Sequence, residues 1–272
     1  MSAVPPSLFS STILTNQRAL VGGSTQGIGR AVAEVLAQMG ATVTLLARNE
    51  ERLQQTATEL PTPAGQAHDY IVADFASAAV VAAQVHTYLE GHPDGFDILV
   101  NNTGGPAGGP ILAAPADAFR AAFEQHLVCN HVLAQAVIPA MQARQYGRII
   151  NIISTSVKQP LPNLGVSNTV RAAVGNWAKT LANEIASQGI TVNNVLPGAT
   201  VTQRHTSLIE QRAAQTGQST AIIEENLLQL IPVHRFGQAE EIAAAVAFLA
   251  SPAAGYITGT NVPVDGGRTG NL

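Results

Sequence analysis

Short apolar runs rich in valine, isoleucine and leucine alternate along this chain with longer, alanine-rich stretches of helical period. Apolar runs of this kind are typical of strands buried on both faces of a parallel sheet. The alternation therefore predicts repeated strand–helix–strand units. Seven strands are predicted: ALVGG from Ala19, TVTLLA from Thr42, YIVA from Tyr70, ILV from Ile98, RIINII from Arg148, ITVNNV from Ile190 and NVPV from Asn261.

The clearest helical stretches are predicted at residues 28–39, 77–89, 116–142, 170–186 and 239–249. With the strands, they predict one α/β domain over residues 17–272, a doubly wound parallel sheet of about seven strands with helices on both faces. Residues 1–16 are predicted to form a short surface arm. The polar, amphipathic stretch 200–230 is predicted to be a helical lid over the substrate. Glycine and proline clusters at 104–110 and 160–165 predict loops at the carboxyl ends of strands, where open α/β sheets bind ligands.

Composition excludes several classes of function. A net charge of −4 and only two lysines, Lys158 and Lys179, leave no basic run that could bind nucleic acid or an anionic membrane. The single cysteine, Cys129, excludes an internal disulfide, and no Cys/His cluster has the spacing of zinc ligands. The N-terminal residues lack the features of a secretion signal, and no run reaches transmembrane length. We therefore expect a cytoplasmic protein that binds no metal, nucleic acid or membrane.

A glycine-rich loop follows the first strand and opens the first helix, in the sequence VGGSTQGIGRAVAEVLAQMG. Gly23, Gly27 and Gly29 fall where the backbone must turn tightly and where a pyrophosphate can approach a helix N-terminus. The spacing predicts a dinucleotide site. A tight strand-to-helix turn without a ligand is the alternative.

The segment GRIINIISTSVKQPLPNLGVSNTVRAAVGNWAKT, residues 147–180, resembles the catalytic segment of the short-chain dehydrogenase/reductase family. The glycine loop resembles the Thr-Gly-x-x-x-Gly-x-Gly sequence of that family, with Gly22 in place of the threonine. The resemblance covers residues 18–267 and is of the 3-oxoacyl-ACP-reductase type. It implies a Rossmann-type fold, a nicotinamide cofactor, a small-molecule carbonyl or alcohol substrate and a homotetramer or homodimer.

The chain departs from the family at its catalytic pair. In the family, a serine at a strand end is followed thirteen residues later by tyrosine and four residues after that by lysine. The same spacing here gives Ser154, Ser167 and Arg171, and the chain contains no Tyr-x-x-x-Lys sequence. The family's further member, an asparagine in the long central helix, falls at His126. The resemblance therefore implies a degenerate tetrad of His126, Ser154, Ser167 and Arg171.

Each member of this tetrad has a catalytic and a structural interpretation. Ser167 is a weaker acid than a phenol and has a shorter reach, and its alternative is a helix N-cap. Arg171 can hold the ribose but not relay a proton, and its alternative is to anchor the helix to a carboxylate. His126 is the group expected to titrate near neutral pH and to supply the proton, unless it is a satisfied interior histidine. Ser154 keeps its family residue type and is the best candidate to bind a substrate oxygen.

The resemblance also implies a set of residues around the cofactor. Asp74 takes the position that receives the adenine amino group, with the N-cap of the helix near residue 77 as its alternative role. Asn102 belongs to a turn beside the adenosine, or is purely structural. Pro197, Gly198 and Thr202 take the position of the loop against the nicotinamide, or form a plain turn. The complete predicted set is Gly23, Ser24, Gly27, Ile28, Gly29, Arg48, Asp74, Asn102, Arg171, Pro197, Gly198 and Thr202.

Arg48, at the end of the second strand, bears on the choice of cofactor. A carboxylate at this position accepts hydrogen bonds from the ribose hydroxyls of NAD, whereas an arginine pairs with the 2′-phosphate of NADP. No carboxylate occupies the strand end, so NADP(H) is favoured over NAD(H). The alternative is an exposed arginine that pairs with Glu50 or Glu51.

Three functions are consistent with these residues. The first is an atypical NADP(H)-dependent oxidoreductase that acts on a carbonyl or alcohol. The second is a cofactor-binding or scaffold protein without catalytic activity. The third is a non-redox enzyme that uses Ser154 or Ser167 with His126 as its base, which requires the histidine within hydrogen-bond reach of a serine.

Overall fold

The computed structural model describes residues 12–271 and contains a single seven-stranded parallel sheet. The order across the sheet is β3-β2-β1-β4-β5-β6-β7, which reverses direction between β1 and β4 and so places a crevice at the carboxyl ends of those strands. The predicted strands and the doubly wound sheet are confirmed. The strands are β1 Arg18–Gly22, β2 Thr42–Ala47, β3 Asp69–Val72, β4 Ile98–Asn101, β5 Gly147–Ile152, β6 Ile190–Pro197 and β7 Asn261–Val264.

Helices cover both faces of the sheet. Helices α1, α2 and α9 contribute to one apolar core, and α3, α5 and α6 contribute to the other. Helices α7 and α8 lie between β6 and α9 in the chain. The bounds are α1 Gly27–Gln38, α2 Glu50–Glu59, α3 Ala78–Gly91, α4 Ala116–Phe123, α5 Cys129–Arg144, α6 Gly165–Ile185, α7 Gln203–Thr216, α8 Thr220–Leu228 and α9 Ala239–Ala250.

The helix predicted over 116–142 is interrupted. Between α4 and α5, residues Glu124–Val128 form a π-helical turn, in which the backbone hydrogen bonds span five residues. Such a turn shifts the side chains that follow it around the helix axis and is frequent at functional sites. His126 lies within it, almost completely buried.

Two further predictions about boundaries require correction. Helix α6 begins at Gly165 rather than near residue 170, because the chain turns into the helix against Ile111, on which Gly165 packs closely. The arm predicted over residues 1–16 lies outside the described residues up to 11, and Leu14 is wholly buried in the core on the α1 side. The folded domain therefore starts before residue 17. Among the described residues, no helix is long and apolar enough to cross a membrane.

A row of asparagine amides crosses four neighbouring strands. Asn101 donates to Asn151 at 2.8 Å, Asn151 donates to Asn194 at 2.9 Å, and Asn194 donates to Asn261 at 2.8 Å. Each pair sits directly opposite in the strand register. Because buried amides without partners are costly, this row fixes the register of β4 to β7 and with it the positions of the loops that follow them.

Candidate active site

A cavity of about 490 Å³ opens at the carboxyl ends of the strands. Its walls come from the loops after β1, β4, β5 and β6, from the start of α6, and from α7 and α8. It therefore brings the glycine loop, three predicted tetrad residues and the stretch predicted as a lid around one space.

The glycine loop after β1 is built by close backbone contacts. Gly23 has φ of +57°, and a Cβ placed on it would lie 2.8 Å from Asn102 Nδ2. A Cβ on Gly29 would overlap the carbonyl oxygen of Gly23 and lie 2.6 Å from the same amide nitrogen. Asn102 Nδ2 donates to the carbonyl oxygens of Gly22 and Gly23 at 3.1 and 3.3 Å. The loop therefore requires glycine, and Asn102 holds it from the neighbouring strand.

The loop leaves the first turn of α1 open toward the cavity. Gln26, which precedes the helix, makes no side-chain cap, and Gly27, Ile28 and Gly29 line the cavity. Free backbone N–H groups and the positive end of the helix dipole at this place match the charge of a pyrophosphate. The residues present thus fit the phosphate groups of a dinucleotide.

Ser24 has a different role from the one predicted. It is wholly buried, and its Oγ accepts from Leu46 N of β2 at 3.1 Å. A residue without accessible surface cannot contact the cofactor. Ser24 instead fixes the glycine loop to the sheet.

Arg48 and Asp74 lie exposed at the ends of β2 and β3, outside the lining of the cavity. Arg48 forms no ion pair with Glu50 or Glu51, so the predicted structural alternative for Arg48 is wrong. Asp74 accepts from Ala76 N at 2.9 Å, while Ser77 caps α3 through Val80 N. The N-cap alternative for Asp74 is therefore also wrong, and both residues remain available at the strand ends.

Ser154 follows β5 and lines the cavity. Its Oγ accepts from Ser156 N at 3.1 Å, which caps the short 3₁₀ turn Thr155–Val157. Because the oxygen already accepts one hydrogen bond, its hydroxyl hydrogen is free to point into the cavity. The buried Thr155 Oγ1 beside it has no hydrogen-bond partner among the described residues.

Ser167 lies in the first turn of α6, with Leu164 at the N-cap position. The alternative interpretation of Ser167 as the N-cap is therefore wrong. Ser167 is half-buried and lines the cavity together with Ser154 and Arg171. Its hydroxyl makes no hydrogen bond with the described residues, so it presents a free polar group to the cavity.

Arg171 lies one turn further along α6, buried at the wall of the cavity. Its Nη1 donates to the carbonyl oxygen of Ile152 at 2.6 Å. The structural alternative, an anchor to a carboxylate, is wrong, because the anchor is this backbone carbonyl and no carboxylate among the described residues pairs with Arg171. Burial, and secondarily the charge of Arg204, lowers the pKa of Arg171 to about 10, so the side chain remains a cation at neutral pH.

His126 does not line the cavity. Burial, and secondarily the charge of Arg171, lowers the pKa of His126 to about 2, so the expectation that it titrates near neutral pH is wrong. Its Nε2 has no hydrogen-bond partner among the described residues, and no hydrogen bond joins the imidazole to Ser154 or Ser167. The structure brings the other three tetrad members together and leaves His126 as a neutral neighbour of Arg171.

The loop after β6 contributes Pro197, Gly198 and Thr202 to the cavity lining. A Cβ on Gly198 would lie 2.7 Å from Asp265 Cα, and a Cβ on Gly27 would lie 3.4 Å from Thr202 Cγ2. Thr202 Oγ1 accepts from His205 N at 3.2 Å and so caps α7. The loop is therefore packed between the glycine loop and β7, and it directs α7 over the cavity.

Four titratable residues that line the cavity were not anticipated from the sequence. Arg204, His205 and Arg212 come from α7, and Arg268 comes from the segment after β7. Arg204 Nη2 donates to the carbonyl oxygen of Pro106, which ties α7 to the loop after β4. The signal available in the sequence was the presence of two arginines in an amphipathic stretch predicted to cover the substrate.

Comparison with known proteins gives consistent matches along the whole chain. A family profile described as enoyl-(acyl carrier protein) reductase matches residues 23–269. The chain is 30% identical over 254 residues to the NADPH-dependent reductase BacG of Bacillus subtilis, covering 93% of this chain and 98% of that protein. It is 37% identical over 251 residues to the 3-oxoacyl-[acyl-carrier-protein] reductase FabG of Escherichia coli, covering 92% and 96%.

A solved structure shares the fold closely. The L-sorbose reductase of Gluconobacter frateurii, complexed with NADPH and L-sorbose, superimposes with a TM-score of 0.89 at 31% identity, covering 97% of this chain and 100% of that one. This chain is thus similar to known reductases both in amino-acid sequence and in fold.

Proposed function

This chain belongs to the short-chain dehydrogenase/reductase family, and on that premise we propose that it is an NADP(H)-dependent oxidoreductase with an altered proton-donor site, acting on a carbonyl or alcohol. The observation that carries the proposal is the single cavity that joins an uncapped glycine loop to Ser154, Ser167 and Arg171. Relatives named as NADPH-dependent or 3-oxoacyl reductases support it.

Gly27, Ile28 and Gly29 would hold the cofactor's pyrophosphate, while Arg171 would contact the ribose and Pro197, Gly198 and Thr202 would border the nicotinamide. Arg48, exposed and without an ion pair to Glu50 or Glu51, would pair with the 2′-phosphate. Asp74 would accept from the adenine amino group. When bound, NADP(H) supplies hydride to a carbonyl carbon or accepts it from an alcohol carbon.

Three side chains act on the substrate oxygen in this proposal. Ser154 donates a hydrogen bond to that oxygen, because its own oxygen accepts from Ser156 N and its hydroxyl hydrogen is free. Arg171 stabilises the negative charge that develops on the oxygen, since its cation is buried without a carboxylate. Ser167 holds a water molecule in the space that a tyrosine ring would fill. This water gives a proton to the alkoxide, and the hydroxide that remains takes a proton from the solvent to which the cavity opens.

The two competing functions have less support. A serine nucleophile needs a base within hydrogen-bond reach, and His126 makes no hydrogen bond to Ser154 or Ser167. A protein that only binds the cofactor has the same glycine loop, and turnover distinguishes it from an enzyme.

The test is oxidation of NADPH, followed by its fluorescence, with a panel of ketones, oxo acids and 3-oxoacyl thioesters. We expect turnover with at least one substrate, and a loss of about 100-fold in kcat/KM for Ser154→Ala, the loss expected when one hydrogen-bond donor to a developing oxyanion is removed. Ser187→Ala, at an exposed site in the 3₁₀ turn before β6, is the matched control. Tight NADPH binding without oxidation across the panel would refute the enzyme and favour the binding protein.

The proposal also covers the oligomeric state of the protein and its location in the cell. We propose a homotetramer or homodimer, as the family resemblance implies, and a cytoplasmic location, as the single cysteine indicates. Light scattering that shows a stable monomer would contradict the oligomer.

A further inference from the structure

The charged residues that line the cavity are all arginines. We call Arg171, Arg204, Arg212 and Arg268 the arginine cluster. No aspartate, glutamate or lysine is among the described residues that line the cavity. Because the chain as a whole carries a net charge of −4, this local excess of positive charge is not a consequence of composition.

Four of the eight arginines outside the cluster are paired with carboxylates. Arg144 pairs with Asp97 at 2.8 Å, and Arg235 pairs with Glu241 at 2.6 Å. Arg30 and Arg120 are paired in the same way. In the described part of the chain, none of the arginine cluster has a carboxylate oxygen within 4.0 Å. The cluster therefore contains no ion pair, whereas half of the other arginines form one.

The cluster consists of two pairs of like charges. The charge of Arg204 lowers the pKa of Arg171, and the charge of Arg212 lowers the pKa of Arg268, in each case in addition to burial. Asp265 acts in the opposite sense on Arg268, but both its carboxylate oxygens accept from the backbone amides of Gly267 and Thr269. An anion between the arginines would relieve the repulsion within each pair.

The two pairs differ in how their guanidinium groups are used. Arg171 donates to the carbonyl of Ile152, and Arg204 donates to the carbonyl of Pro106. The guanidinium groups of Arg212 and Arg268 make no hydrogen bond with the described residues. These two therefore have all their donors available to a ligand.

The residues that line the cavity with Arg212 and Arg268 indicate which other chemical groups the ligand has. Arg212 and Leu208 are four residues apart on α7 and so share a face of that helix. Leu227 and Leu230 line the same cavity from α8 and the residues that follow it. A ligand that fits this cavity has an anionic end and an apolar part.

We propose that the substrate carries an anionic group, a carboxylate or a phosphate, that binds between Arg212 and Arg268, with its carbonyl group directed toward Ser154 and Arg171 and its apolar part against the leucines of the cavity. The proposal rests on the proposed oxidoreductase function and names the substrate class of that site. The substrates are carbonyl acids or phosphorylated carbonyl compounds, and neutral ketones bind poorly. The bidentate geometry of guanidinium suits both anions.

The test uses ligands that cannot react, so that binding is measured apart from turnover. Thermal melting of the protein saturated with NADP⁺ is followed with malonate, inorganic phosphate or neutral malonamide. Saturation with NADP⁺ keeps the probes from the sites of the cofactor's own phosphates. Malonate and phosphate separate the two sources of negative charge. The variants are Arg212→Gln and Arg268→Gln, with the exposed Arg120→Gln as the matched control.

We expect malonate, phosphate or both to raise Tm where malonamide does not, with apparent affinity reduced about tenfold or more in each cluster variant and unchanged in Arg120→Gln. A response to malonate alone assigns a carboxylate, and a response to phosphate alone assigns a phosphate. Equal shifts with malonamide, no shift with either anion, or full affinity in both cluster variants would overturn the inference. Failure of NADPH oxidation with every substrate contradicts the proposed function instead, and leaves the binding result intact.

Discussion

The cavity has two sides that are built in different ways. On the cofactor side, the glycine loop is fixed by backbone contacts so close that a Cβ on Gly23 or Gly29 would collide with Asn102. On the reaction side, Ser167 presents a hydroxyl without a hydrogen-bond partner among the described residues, and Arg171 is a buried cation held by a single backbone carbonyl. The cofactor side leaves no space for a larger side chain at these glycines, whereas the reaction side has space and polar groups without a side-chain partner.

This difference gives a physical reason why the chain keeps the glycines of the family's loop but has Ser167 and Arg171 at the positions that resemble the family's tyrosine and lysine. Replacing a glycine in the loop displaces backbone atoms and the helix they introduce, so the change costs both folding and binding. Replacing tyrosine and lysine by serine and arginine alters side chains at a cavity wall, where the backbone remains as it is. In the function that we propose, cofactor binding and proton delivery are therefore separable, and each can be tested alone.

The largest expected effect comes from restoring the family pair on the reaction side. The double substitution Ser167→Tyr with Arg171→Lys introduces a phenol and the cation that lowers its pKa. A positioned general acid contributes 10²–10⁴-fold, so we expect kcat for a ketone to rise by about 100-fold or more. The measurement is NADPH oxidation at saturating cofactor.

A ring without a hydroxyl is the control for this gain. Ser167→Phe with Arg171→Lys fills the same space but has no proton to donate, and its kcat should not rise. An equal gain in the phenylalanine variant would show that shape, rather than acid catalysis, was missing from the reaction side.

The cofactor side is tested by Gly29→Ala. The new methyl group overlaps the carbonyl oxygen of Gly23, so the loop must move away from the position that suits a pyrophosphate. We expect NADPH affinity to fall by about 100-fold, as measured by fluorescence titration. Gly91→Ala, at the end of α3 with no atom within 4 Å of the added Cβ, should bind NADPH as the wild type does. Unchanged affinity in Gly29→Ala would mean that the loop is not the cofactor site.

His126, a buried neighbour of Arg171 outside the cavity lining, can be tested through the stability of the protein. Its folded pKa of about 2 lies below its usual 6.5, so between these values the unfolded chain binds more protons and stability falls as the pH falls. Above pH 6.5 the neutral imidazole makes its full contribution to the free energy of unfolding. At pH 5 this free energy is lower by about 2 kcal/mol.

The measurement is urea unfolding at pH 7 and pH 5. The wild type should lose about 2 kcal/mol more than His126→Gln between these two values. His86→Gln, at an exposed site on α3, is the control and should follow the wild type. An identical loss in His126→Gln would show that the imidazole accepts a proton in the folded protein.

The sheet could be predicted from the sequence almost residue by residue, because strands buried on both faces must be apolar runs. The same argument predicts little about polar helices. Helix α2, Glu50–Glu59, buries only Leu53 and Thr56 and is otherwise polar. The π-turn at Glu124–Val128 leaves no signal in the periodicity of the surrounding helix, although it decides where His126 points. Such features depend on tertiary packing rather than on local sequence.

The candidate site divides in the same way. Ser154, Ser167, Arg171 and the glycines could be located through the resemblance to the family, and parallel strands bring the loops at their carboxyl ends to one edge of the sheet. Arg204, Arg212 and Arg268 could not, because they join α7 to a segment more than fifty residues later in the chain. Ser24 shows the opposite error: it lies within the loop motif, but its side chain points into the sheet. Position within a motif predicts proximity to a ligand, and only the packing decides contact.

The smallest expected effect concerns the choice of cofactor at the outer end of the cofactor side. Arg48→Gln removes the cation at the end of β2, which is exposed and partnered by neither Glu50 nor Glu51. Because a charge-assisted contact to an exposed phosphate is partly screened by solvent, we expect NADPH affinity to fall only about tenfold while NADH affinity is unchanged. Fluorescence titration with each nucleotide gives the ratio, and Arg120→Gln controls for the loss of a surface charge. An equal change for NADH and NADPH would show that Arg48 does not contact the 2′-phosphate, and the preference for NADP(H) would then need another residue on the same side of the cavity.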